Sequence, residues 1–163
     1  MVAFVVDVNV AVVANGRNTP QADNLCKRDC IRALRDVMQS IICMDKQDYI
    51  IKEYRDKLSM SGQPGAGDEF MAWMAQNQYN EKVCELVDIT PHRGRGFYEF
   101  PDDVSLAGFD SDDRMYVAVA LKSTKNPVIL NAVDSDWDIH SVALAAKGLR
   151  INELCPHCLK NRM

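Results

Sequence analysis

"AFVVDV", residues 3–8, decides the fold class. It is a continuous apolar run of strand length, and such runs suit a central strand buried on both faces. Asp7 stands where that strand ends, so an acid marks its carboxyl end. Further along, Leu25, Ile31, Leu34 and Val37 recur at helical spacing between about Gln21 and Gln39, and "IICM" at 41–44 reads as a second strand. "DKQDYIIKEYRDKLS" (45–59) is a helix of mixed charge with Ile50, Tyr54 and Leu58 on one side. "SGQPGAG" (61–67) is a loop by its Gly and Pro content, and "DEFMAWMAQNQYNEKVCE" (68–85) a helix capped by Asp68.

"LVDI" (86–89) predicts a short strand, and "HRGRGFYEFPDD" (92–103) a long polar connection with a small hairpin. A helix from about Asp112 to Ser123, the strand "PVILNAV" (127–133), a helix from about Asp136 to Lys147 and a last strand "LRINEL" (149–154) complete the pattern. Strands alternating with helices predict an α/β fold: one domain over 1–154, with a mostly parallel central sheet flanked by helices on both faces. Residues 155–163 read as a C-terminal tail.

The 163 residues suffice for one domain with its own core, and 47% apolar, 26% charged and a net charge of −4 are ordinary for a soluble globular chain. That net charge gives no nucleic-acid signal by itself. The longest apolar stretch, "MVAFVVDVNVAVVA", is broken by Asp7 and Asn9, lacks a basic start and is too short to span a bilayer. No membrane partner and a cytoplasmic location are expected. The six cysteines, at 26, 30, 43, 84, 155 and 158, do not form the framework of a small secreted domain and are expected as reduced thiols. Cys26 and Cys30 share a helical face with Leu34, Val37 and Ile41, which predicts core packing.

Ligands of parallel sheets bind at the carboxyl ends of the strands. Asp7 lies there, as do Asp134 and Asp136 after the "PVILNAV" strand, and Asp112 and Asp113 open a helix leaving the same edge. Like charges so gathered repel, by about 4 kcal/mol at 4 Å and an effective dielectric of 20. Some compensation for them is expected.

"VVDVNV", "IIKEYRDKL", "DSDDRMYVAVAL" and "VILNAVDSDW" resemble, in order, the four acidic signatures of the PIN-domain nucleases. The resemblance covers nearly the whole chain. It implies a metal-dependent ribonuclease that cleaves phosphodiester bonds of single-stranded RNA, with Mg²⁺ or Mn²⁺ held by carboxylates. Residue by residue, it implies catalytic and metal-binding roles for Asp7, Glu53, Asp113 and Asp134, with Asp136 as an additional metal-site acid and Asn9 and Asp112 in support. Asp113 ranks above Asp112 because Ala118 follows it by five positions, and Asp110 is assigned to the loop. The family often carries hydroxyl residues where this chain has Val8 and Ala132, so hydrogen bonds that orient the ligands are expected to be fewer. Many bacterial members are toxins neutralised by an antitoxin protein, and many are homodimers, so the resemblance extends to those partners.

The polar connection places Arg93 and Arg95 beside Phe97 and Tyr98, a mixture of cation and aromatic that suits a nucleic-acid strand. The glycines of "SGQPGAGDE" do not make a phosphate loop, because its lysine and hydroxyl residue are missing. In "LCPHCL", Cys155, His157 and Cys158 could serve zinc, but a closed site wants a second ligand pair, and only Cys26 and Cys30 offer one. A strand running into a turn at Pro156 is the simpler expectation. The rival functions are a non-catalytic PIN-like module that binds RNA or protein, an aspartyl-nucleophile phosphatase and a zinc-stabilised interaction module.

Overall fold

The computed structural model describes residues 1–17, 19–61 and 63–159; Gly62 of the expected loop and 160–163 of the expected tail lie outside the described residues. Five strands, β1 (Ala3–Val6), β2 (Ile41–Asp45), β3 (Cys84–Val87), β6 (Val128–Asn131) and β7 (Arg150–Glu153), form one parallel sheet in the order β3-β2-β1-β6-β7. β1 is the centre: Phe4 sits opposite Ile42 on one side and Val128 on the other, and Val5 and Val6 are fully buried. That is the environment the unbroken apolar run requires. A two-stranded antiparallel hairpin, β4 (Pro91–His92) with β5 (Gly96–Phe97), lies in the polar connection, as expected.

The apolar residues after Asp7 do not extend the strand. They form helix α1 (Val8–Asn15), despite its run of valines. Asp7 accepts a hydrogen bond from the Asn9 amide and so caps the helix, and Gly16 ends it in the left-handed region (φ 75°). Because α1 is covered by α2 (Asn24–Val37) and α4 (Ala66–Asn77), tertiary burial overrides its weak intrinsic propensity. The approach is close: a Cβ on Gly67 would stand 2.0 Å from the Ala11 carbonyl oxygen. α4 therefore starts earlier than expected, at Ala66, and stops at Asn77. Asp68 is its third residue, where it accepts from the Gly65 and Ser59 amides and from Asn15 Nδ2.

Helix α3 (Tyr49–Lys57) is capped from the end of β2, where the Asp45 carboxylate accepts from the Tyr49 and Ile50 amides. The last predicted helix is two, α6 (Ser135–Ile139) and α7 (Ser141–Ala146), broken at His140. Helix α5 (Arg114–Lys122) lies against β1, β2 and β6 and is buried nearly all round. No helix among the described residues is long and apolar enough to cross a membrane.

The thiol expectation needs correction at two positions. Cys26 and Cys155, 129 residues apart, form a disulfide, while Cys30, Cys43, Cys84 and Cys158 are free. The segment read as a tail thus begins on a residue bonded to α2, and continues as a 3₁₀ turn, Pro156–Leu159, with Leu159 buried. Core packing of Cys26 and Cys30 agrees with expectation, since neither is exposed.

Candidate metal centre

The chain leaves β1 towards β2 and β3 and later returns on the other side through β6 and β7. Such a reversal opens a crevice at the carboxyl ends of the two strands where it occurs, here β1 and β6. Asp7 follows β1 directly, and Asp134 follows β6 as the cap of α6, accepting from the Asp136 amide. Asp113 enters from α5, whose first residue it precedes. Carboxylate oxygens of Asp7, Asp113 and Asp134 lie within 4.8 Å of one another.

Asp7 is held tightly. Its Oδ1 accepts from the Asn9 amide at 3.0 Å and its Oδ2 from Trp137 Nε1 at 2.9 Å. The Tyr54 hydroxyl donates to the Val6 carbonyl at 2.6 Å and the Tyr116 hydroxyl accepts from the Val8 amide at 3.1 Å, fixing the backbone on either side. Asn9 Oδ1 accepts from the Ala132 and Val133 amides, and Asn9 Nδ2 donates to Asn131, so the loop after β6 is tied to the start of α1. Positions 8 and 132 carry no hydroxyl; Trp137 and Asn9 do the orienting instead.

Asp113 differs from the other buried acids. Both oxygens of Asp45 serve backbone amides, but Asp113 Oδ2 is buried with no hydrogen-bond partner. Among the described residues no ion pair reaches Asp7, Asp113 or Asp134. Burial pushes the Asp7 carboxyl up to about 6 against the hydrogen bonds from Asn9 and Trp137. Burial, then the charge of Asp7 and the contact with Asp134, hold Asp113 far above the carboxylate range. Glu153, at the end of β7, is a further acid that sequence reasoning missed. Burial raises it to about 7, its Oε2 has no partner, and its Oε1 accepts from Asn131 Nδ2 at 2.7 Å.

The other expected ligands stand elsewhere. Glu53 is outside the carboxylate group; it is half-buried in a neighbouring cleft with Tyr49, Asp112 and Met115. Asp136 turns away to accept from the Asp110 amide at 2.7 Å and lies 3.3 Å from His140 Nδ1. Asp110, expected only as a loop residue, caps the turn before α5 by accepting from the Asp112 amide, and Asp112 itself lines the cleft of Glu53. Arg95 donates to the Phe100 and Tyr98 carbonyls, and Phe97 is buried edge-on against Tyr49. Of that hairpin's expected strand-binding residues, Arg93 and Tyr98 remain exposed.

The raised acids set a pH dependence for the metal-free chain. A folded-state pKa above the unfolded one means that the native state holds a proton the unfolded chain has released. Stability from Asp7 is therefore fully present below about 4 and lost as pH rises through about 6, and that from Glu153 is lost through about 7. With chelator present, thermal unfolding at pH 5 is expected about 5–10 °C above that at pH 7.5, on the order of 2–4 kcal/mol. A midpoint that is flat or falls towards pH 5 contradicts the assignment.

Comparison with family models, with curated proteins and with solved structures gave no match.

Proposed function

We propose that the chain is a metal-dependent nuclease of PIN-like type that hydrolyses phosphodiester bonds in single-stranded RNA. One observation carries the reading: Asp7, Asp113 and Asp134 converge at the crevice of a parallel sheet with no cation among the described residues to compensate them. A hard divalent cation suits that donor set, because Mg²⁺ and Mn²⁺ prefer carboxylate oxygens, and the unpartnered Oδ2 of Asp113 is a buried acceptor lacking a donor. Asp7, Asp113 and Asp134 would hold the ion, which supplies Lewis-acid stabilisation of charge on a phosphoryl oxygen and activation of water.

The chain's own residues do the positioning. Trp137 and the Asn9 amide keep Asp7 in one rotamer with both oxygens turned to fixed partners. Asn131 donates to the Asp134 carbonyl and accepts from its amide, holding that acid at the end of β6. Glu153, raised to about 7, is able to exchange a proton near neutrality beside this edge. The choice of RNA rests on the resemblance of the four acidic signatures and on exposed Arg93 and Tyr98 of the hairpin. The same resemblance supports, as partners, an antitoxin protein and a second copy of the chain.

The test is cleavage of an end-labelled single-stranded RNA with Mn²⁺, with chelator, and with Mn²⁺ restored. Cleavage lost with chelator and regained with Mn²⁺ is expected, together with a thermal midpoint raised by Mn²⁺. A ligand at 100 times its Kd stabilises by about 2.7 kcal/mol. Cleavage indifferent to chelator, or none under any condition, overturns the proposal.

A further inference from the structure

The carboxylates are not the chain's only convergence of metal-ligating side chains. On α2, Cys26 and Cys30 are one turn apart on a single face, and the Sγ atoms of Cys26, Cys30 and Cys155 lie within 4.8 Å of one another. All three residues are fully buried. Cys158 follows Cys155 by three residues through the 3₁₀ turn Pro156–Leu159, and its amide donates to the Cys155 carbonyl at 2.9 Å. The Cys158 sulfur lies within 4.8 Å of ligand atoms of Asp23 and His157, on the outer side of the same turn. Cys158 is half-buried and packs against the core in which the three sulfurs lie.

We propose that Cys26, Cys30, Cys155 and Cys158, when reduced, hold one zinc ion that fastens the C-terminal turn to α2, the Cys26–Cys155 disulfide being the metal-free oxidised form of the same site. Two separated pairs, one from a helix and one from a turn, are what a closed zinc site needs. Four sulfurs about 2.3 Å from zinc in a tetrahedron stand about 3.8 Å apart, within the spread that the three buried sulfurs already show. His157 is not the fourth ligand: its Nε2 lies 3.0 Å from both oxygens of Asp23, the residue that caps α2 through the Cys26 amide. That pair clamps the turn from outside.

Disulfide and zinc exclude each other, because a sulfur in an S–S bond is no thiolate ligand. Two equivalents of a monothiol break the Cys26–Cys155 bond. Their two electrons and two protons pass to the cysteines, and the monothiol leaves as its own disulfide. Zinc then binds the four thiols as thiolates and releases four protons.

The experiment uses the untagged full chain, purified with a phosphine reductant and supplied with zinc, then with Co²⁺ in its place. Elemental analysis is expected to give about one zinc per chain, and Co²⁺ the sulfur-to-metal charge-transfer band of a thiolate site. Cys30→Ser and Cys158→Ser, which leave the Cys26–Cys155 pair intact, are each expected to weaken zinc binding at least tenfold, whereas His157→Ala and Asp7→Asn leave it unchanged. No zinc on the fully reduced chain, a Co²⁺ spectrum without the thiolate band, or zinc retained in Cys158→Ser and lost in His157→Ala would overturn the proposal.

Discussion

The Asp113→Asn variant is expected to lose Mn²⁺-dependent RNA cleavage by about a thousandfold and yet to unfold at a higher temperature than the parent when no metal is present. The first effect follows from removing a carboxylate from a three-acid site: about 4 kcal/mol of transition-state stabilisation is a factor of about 10³. The second follows from burial. Asp113 lies in a buried site beside Asp7 and Asp134, with Oδ2 unpaired, so the metal-free fold must hold its proton while the unfolded chain has released it at neutral pH. Each pH unit of that mismatch costs about 1.4 kcal/mol. Asparagine has the shape of the neutral acid and no proton to hold, and a gain of about 2–4 kcal/mol, or about 5–10 °C, is expected.

Asp7→Asn should lose cleavage to the same degree without gaining as much stability, because both Asp7 oxygens accept from fixed donors and an amide nitrogen would oppose one of them. Thermal unfolding with chelator, beside cleavage with Mn²⁺, checks both. An Asp113→Asn variant that cleaves normally, or that is destabilised without metal, would remove Asp113 from the site.

The Arg114→Ala variant is expected to lower stability by about 3–5 kcal/mol. The guanidinium is buried, yet it makes no ion pair among the described residues. It donates to the carbonyls of Phe109, Arg95 and Ala107 and lies 4.5 Å over the Phe100 ring. Truncation strands three carbonyls and leaves a cavity against Phe100. Arg114→Lys is expected to recover less than half of the loss, since an ammonium on a flexible stem does not reproduce the planar fork. Chemical denaturation of the three chains measures this, and a loss under about 1 kcal/mol for Arg114→Ala would show that the connection from 95 to 109 does not depend on the fork.

Much of this molecule is legible along the chain. The apolar run before Asp7, the helical spacing of Cys26, Cys30, Leu34 and Val37, and the acids after β1 and β6 are local patterns that survive folding unchanged. Where the reading missed, a non-local partner was responsible. Along the chain the first strand ends at Asp7 and residues 9–15 are assigned no element; the cover of α2 and α4 makes them a helix. Arg95 has the composition of a nucleic-acid contact, but the Phe100 and Tyr98 carbonyls engage it. A signal existed for two missed residues: Trp137 follows "VDSD", and Glu153 ends a strand at the same sheet edge as Asp7.

By itself the sequence determined an α/β chain with a buried parallel sheet and acids at its carboxyl edge, because periodicity and strand ends depend on neighbours one to four residues away. Tertiary structure alone decided which acids meet, placing Asp113 and Asp134 with Asp7 and leaving Glu53 in the next cleft. It also brought Cys155 to Cys26 across 129 residues. Distances of that kind are set by the strand order and by helix packing, and side-chain spacing along the chain carries no record of either.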